Sequence, residues 1–183
     1  MSYNIPFGNT TVINTFNDFP DLQDPSRFRF KSRDLSAIDT IVIHHTVGPE
    51  PAKDSEGQMA QIRQIYNQWS RPGNKYNTQG FPYHFMLYEE AFYYVGSMFT
   101  SRACVEKEND HIVCVALPGN YDEEMPPEPF RVRITEFTDN LRYVLGRKEN
   151  GLRVPIVGHQ DMMLTHCPGL TWSLWKHELE PEG

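Results

Sequence analysis

The sequence predicts a single α/β domain with a central mixed β-sheet flanked by helices. Three features of the 183-residue chain carry that prediction. Two short runs dense in β-branched residues, DTIVIHHT (39–46) and HIVCVAL (111–117), have the pattern of strands buried on both faces. Two longer segments repeat apolar residues every three or four positions, as amphipathic helices do. A third region, YHFMLYEEAFYYVG (83–96), places two apolar runs around a polar turn; this hairpin makes the sheet mixed rather than all parallel.

Length and composition agree with this class. A chain of this size can bury one core without staples. Hydrophobic content of 39% and charged content of 22% are ordinary for a globular protein. The net charge of -7 argues against nucleic-acid binding, because no basic stripe is available to displace counterions from phosphates. The apolar runs are far shorter than the roughly 18 residues of a membrane helix, so no membrane insertion is expected. The N-terminus lacks a basic start followed by an apolar block, so no signal peptide is read. Three cysteines are too few, and odd in number, for a disulfide framework. Synthesis in a cytoplasm with reduced thiols is therefore expected.

The elements follow in order. Residues 1–36 are rich in Asn, Asp, Phe and Pro without periodicity, and read as an N-terminal extension or arm packed through scattered aromatics. Residues 37–183 read as the domain proper. The strand at 39–46 is followed by EGQMAQIRQIYNQWS (56–70), a helix with Met59, Ile62, Ile65, Tyr66 and Trp69 on one stripe. Pro and Gly in RPGNKYNTQGFP (71–82) end it and make a long loop. The hairpin turns at Glu89 and Glu90, the strand at 111–117 follows, and PGNYDEEMPPEPF (118–130) is an acidic, Pro-rich loop. The second helix, 133–150, carries Ile134, Phe137, Leu141, Val144 and Leu145, with Thr135 as a candidate cap. VPIVG (154–158) is a last short strand, and LTWSLWKHEL (170–179) a C-terminal helix.

Two buried strands end in a metal-ligand residue type: IVIHH and IVGH. Sites in α/β sheets gather at strand ends, where loops open a cleft above a rigid scaffold. His44 and His159 are candidates on that ground, and Cys167 follows His159 by eight residues. Two neutral imidazoles and one thiolate would make a catalytic zinc site with its fourth position left to water. Pro168 and Gly169 would fix the chain just after the thiolate. Each of these residues alone more often has a structural role, and a His and a Cys eight apart form a weak motif.

The blocks IVIHHT, PYHFML, EEAFYYVG, VCVALPGNY and VGHQDMMLTHCPG occur in the order found in one family. From about Asp39 to about Trp175 the chain resembles the zinc-dependent N-acetylmuramoyl-L-alanine amidases of type 2, which include phage amidase-type lysozymes and the animal peptidoglycan recognition proteins. The resemblance implies that the first His of the HHT pair, His44, is a zinc ligand, a choice the pattern alone leaves open because adjacent strand residues point to opposite faces. It implies His159 and Cys167 as the other ligands, Tyr83 as the catalytic tyrosine, and Thr165 at the place occupied by Lys or Thr in catalytic relatives. His45, His84, His111 and His166 receive no ligand role, and Asp161 would brace a ligand or a loop.

The implied activity is hydrolysis of the amide between N-acetylmuramic acid and the L-alanine of the stem peptide. The expected partner is peptidoglycan or a muropeptide, and the expected state a monomer. Without a signal peptide, a phage endolysin reaching the wall after its release is the simplest biology. A non-catalytic peptidoglycan-binding module of the same fold and an intracellular bacterial muropeptide amidase are the alternatives. Retention of Cys167, which non-catalytic relatives commonly replace, favours the enzyme. The chain departs from the family in three places. SRACVEKENDH (101–111) stands where many members have a WHAG-like segment, Ala116 stands where cytoplasmic members have glutamate, and the hairpin lacks its usual arginine.

Overall fold

The computed structural model describes residues 3–7, 10–22, 30–71, 78–146 and 153–180. The middle of the 71–82 loop and the end of the predicted 133–150 helix lie outside the described residues.

A seven-stranded sheet is formed by β1 (Tyr3–Phe7), β2 (Thr10–Asn14), β3 (Thr40–His45), β4 (Phe85–Leu87), β5 (Phe92–Tyr94), β6 (Ile112–Leu117) and β7 (Ile156–Gly158). Its order is β1-β2-β5-β4-β6-β3-β7. The predicted hairpin is β4–β5, antiparallel with Phe85 opposite Tyr94. β4, β6, β3 and β7 run parallel, so the mixed sheet holds as expected. β3 and β6 are buried along almost their whole length, as their unbroken β-branched runs predict. The N-terminal segment differs from its reading as an aperiodic arm. β1 pairs with β2, and β2 joins β5 in parallel, so this segment extends the sheet at its edge. Neither strand shows a strong alternation in sequence, because strand formation here depends on pairing with neighbours more than on local pattern.

Two long helices cover opposite faces. α1 (Ser55–Ser70) is capped by Asp54, whose carboxylate accepts the Gly57 N–H at 2.8 Å. It lays Ile62, Met59, Ile65 and Tyr66 against Val42, Met86, Ile112 and Ala116. α2 (Glu128–Leu145) packs Phe130, Ile134, Phe137 and Leu141 on the other face, against Ile41, Ile43, Val113 and Val115. α2 starts five residues earlier than predicted, with Pro129 in its first turn, where a missing N–H costs nothing. Thr135 is therefore interior rather than a cap, and its hydroxyl donates to the Arg131 carbonyl. Val144 falls off the buried stripe and is exposed.

The chain end is shorter in helix than predicted. α3 (His159–Met162) follows β7 directly, and α4 (Trp172–Trp175) gives way to a 3-10 turn, Lys176–Leu179. Trp172 and Trp175 stack edge to face, 4.8 Å between centroids, and close the core beneath β7. No helix among the described residues is long and apolar enough to cross a membrane.

One expectation is corrected. Cys104 and Cys114 form a disulfide, Cα to Cα 6.7 Å, and Cys167 is the free cysteine. The odd count excludes full pairing, yet the 101–111 loop folds back onto β6 and brings one pair within bonding reach.

Candidate metal centre

The C-terminal end of β3 presents two histidines to opposite sides of the sheet. His44 follows the register of Val42, on the face where Cys114 and Ala116 of β6 also lie, and it is 2% exposed. The Nδ1 of His45 accepts the Tyr121 N–H at 3.4 Å instead, so a neutral His45 carries its proton on Nε2. The strand's alternation thus makes the choice between the two histidines that the sequence left open.

His159 opens α3 immediately after Gly158 of β7, which lies beside β3. A side chain at Gly158 would meet the Trp172 indole at 2.6 Å, so only glycine lets the strand end this close to α4. Asp161 fixes the same corner. Its carboxylate accepts the Gly158 N–H at 2.9 Å, the Trp172 indole N–H at 2.7 Å and the Lys176 ammonium at 3.2 Å. Burial acts to raise its pKa, but these donors prevail and hold it below the usual carboxylate range.

Cys167 is delivered by the turn that follows. Gln160 holds that turn twice, its N–H donating to the Cys167 carbonyl at 2.7 Å and its side-chain amide to the Gly169 carbonyl at 3.0 Å. Gly169 has φ +121° and packs against the Tyr121 backbone, a conformation and an approach reserved for glycine. Cys167 Sγ then accepts the His45 N–H at 3.3 Å and stands 3.5 Å from His44 Nδ1.

Ligand atoms of His44, His159 and Cys167 all lie within 4.8 Å of one another. Zinc bonds of about 2.3 Å to sulfur and about 2.0–2.1 Å to nitrogen, at a tetrahedral angle, put two such ligands about 3.6 Å apart. The His44–Cys167 separation matches that spacing. Among the described residues, His44 Nε2 and His159 Nε2 are buried without a hydrogen-bond partner. The His44 pKa is pushed well below its ordinary value by burial and then by His159 and His45. His159 is lowered by burial and by His45. Both imidazoles are therefore neutral, the form that coordinates metals. Burial pushes the Cys167 thiol up to about 12, so its thiolate forms only with a cation beside it. The donor set fits a zinc ion.

These three residues lie in a cavity of about 880 Å³, which also takes in Tyr83 and Thr165. The Tyr83 ring lies 5.4 Å from that of His44, and the Thr165 hydroxyl oxygen accepts the Cys167 N–H at 3.3 Å. All five sequence-predicted residues thus converge. Sequence reasoning missed Cys104, Glu106 and Asn109, which line the cavity from the 101–111 loop, and Trp69 and Asp122. Nothing in their local pattern distinguishes them from ordinary loop and helix residues. His84 is buried in the sheet, where its Nδ1 accepts the Cys114 N–H at 2.9 Å. His111 binds Asp39 and Glu108, each at 2.7 Å, away from the cavity.

No protein-family model and no curated protein matches the sequence. Solved structures do match the fold. The Drosophila peptidoglycan recognition protein SD superposes with a TM-score of 0.66 at 20% identity, covering 80% of this chain and 82% of its own. The Ph2119 endolysin of a Thermus scotoductus bacteriophage gives 0.63 at 20% identity, covering 91% and 97%. The N-acetylmuramoyl-L-alanine amidase LysC of Clostridium intestinale gives 0.56 at 17% identity, covering 88% and 96%. This chain has the fold shared by the type 2 amidases and the peptidoglycan recognition proteins.

Proposed function

We propose that this protein is a zinc-dependent N-acetylmuramoyl-L-alanine amidase that acts on peptidoglycan as a phage endolysin. One observation carries the reading. Two neutral histidines and a cysteine from three separated segments bring their ligand atoms within 4.8 Å of one another beside an open cavity. The likeness to structures named as an endolysin and as an N-acetylmuramoyl-L-alanine amidase supports the same choice.

Bound at His44, His159 and Cys167, zinc would supply Lewis acidity toward the scissile carbonyl and lower the pKa of its water to about 7. The chain's own residues would do the rest. The Thr165 oxygen is occupied as an acceptor by the Cys167 N–H, which leaves its proton to donate into the cavity. The Tyr83 hydroxyl is the second donor. Neither is a base at neutral pH, so both act by orienting water and stabilising charge on the carbonyl oxygen of the tetrahedral state. The Trp69 ring, 6.3 Å from that of Tyr83, supplies an apolar wall for the sugar or lactyl portion.

The non-catalytic binding reading draws support from the likeness to a recognition protein. The intracellular muropeptide amidase draws less support, because Ala116, paired with His44 across β3 and β6, stands where the resemblance sets the glutamate that cytoplasmic members often carry. Digestion of purified peptidoglycan separates these readings. Mass analysis should find new L-alanine amino termini without new reducing sugar ends. Reducing ends would mean a glycosidase, and binding without release would mean a recognition module.

A further inference from the structure

The disulfide partners Cys104 and Cys114 are not remote from the metal centre. Both sulfurs lie within 4.8 Å of each other and of a ligand nitrogen of His44. Cys114 is fully buried on β6, directly opposite Val42, and its strand is held on both sides. Cys104 sits on the irregular 101–111 segment that lines the cavity. One sulfur is thus anchored in the sheet, and the other rides on a loop without ladder hydrogen bonds. The Cα atoms are 6.7 Å apart, at the wide end for a disulfide, which leaves room for an ion between the sulfurs once they part. Two thiolates at about 2.3 Å from a tetrahedral zinc stand about 3.8 Å apart, a change one loop side chain can supply. His44, meanwhile, is 2% exposed, and its buried Nε2 has no hydrogen-bond partner among the described residues.

We propose that reducing the Cys104–Cys114 disulfide creates a second metal site, His44–Cys104–Cys114, which takes a thiophilic divalent ion and draws on the same histidine as the first. The reduction balances simply. A dithiol gives two electrons and two protons to the S–S bond and becomes a disulfide itself; with a phosphine, water supplies the protons and the phosphine becomes its oxide. Each new thiol loses its proton when the ion binds, so two protons are released per site. His44 then belongs to a two-His, one-thiolate set in the oxidised protein and to a one-His, two-thiolate set in the reduced one. Softer ions are favoured in the second. The oxidation state of this pair therefore governs which ion the region holds and where it sits.

The Cys167→Ser variant isolates the second site, because its only remaining cysteines are Cys104 and Cys114. Cobalt(II) is the probe: a thiolate ligand gives an intense near-ultraviolet charge-transfer band that serine and histidine ligands do not. The oxidised variant should show no such band. After reduction with a phosphine, which adds no competing thiol, the band should appear and saturate at about one cobalt per chain. Cobalt should also raise the thermal midpoint of the reduced variant. In Cys104→Ser/Cys167→Ser the band should weaken at least twofold and the midpoint shift vanish. A reduced Cys167→Ser protein that keeps its near-ultraviolet tryptophan dichroism but shows no band would overturn the proposal. So would loss of that dichroism on reduction, since the site exists only on the folded sheet. The result is independent of the amidase reading, which the wild-type oxidised protein and its peptidoglycan digest test separately.

Discussion

His44 Nδ1 and Cys167 Sγ stand 3.5 Å apart although 123 residues separate them in the chain. That spacing matches two ligands of one tetrahedral ion, and in the metal-free protein it also serves a thiol–imidazole hydrogen bond. With the Cys104–Cys114 bond intact, purified protein should carry about one zinc per chain. Cys167→Ser should lose most of it, as measured by elemental analysis after dialysis. A metal-free wild-type protein with full activity would remove the site assignment.

Tyr83 tests the division of labour beside that ion. Tyr83 lines the cavity outside the ligand cluster, so on the proposed reading Tyr83→Phe should keep its zinc while losing about 10²–10³ in kcat, the usual effect of removing one oxyanion donor. KM on a soluble muropeptide should change little, because the interaction forms in the transition state. An unchanged kcat would leave Tyr83 as part of the cavity wall only.

Asp161 braces the β7–α3 corner from which His159 projects. Its carboxylate joins Gly158, Trp172 and Lys176, so Asp161→Asn should cost about 1–2 kcal/mol of stability at pH 7. Because its folded pKa is depressed, the native contribution is present above the ordinary carboxylate range and disappears as pH falls through the folded value. Urea midpoints of wild type and variant should therefore differ at pH 7 and converge in strong acid. A gap that stays constant would mean that shape, not charge, holds the corner.

His84 sets a different pH limit. Burial, reinforced by Arg33 and Arg102, pushes its pKa well below the ordinary imidazole value, so it stays neutral in the fold. The unfolded chain takes up a proton below about pH 6.5 while the folded chain does not. Stability therefore falls with acidification, by up to about 1.4 kcal/mol per pH unit for such a group. His45 acts in the same sense, as do His44 and His159 in the metal-free protein, while His111, whose pKa is raised in the fold, opposes them. Urea titrations between pH 7.5 and 5 would reveal the slope, and a flat profile would contradict the burial of these neutral rings.

Much of this molecule is legible in the chain, because local periodicity survives folding wherever an element is buried. The unbroken β-branched runs mark β3 and β6, and the three-and-four spacing of Ile62, Ile65 and Tyr66 marks α1. The edge strand β1 and its neighbour β2 are less legible, since their place in the sheet depends on β2 pairing with β5, far along the chain. The early start of α2 was hidden by prolines that the first helical turn tolerates.

The site divides in the same way. Strand ends and residue types in the sequence nominate His44, His159 and Cys167 as candidates, and the ordered blocks tie Tyr83 and Thr165 to them. The resemblance names His44 rather than His45, and the tertiary structure supplies the physical reason, because the side on which each ring leaves β3 follows from register with β6 and β7. Only the tertiary structure brings Cys104 onto Cys114 beside His44, since the path of a loop back to a strand leaves no periodic trace. Residue chemistry is written locally, whereas a coordination distance is set by long-range contacts that place separated strand ends together.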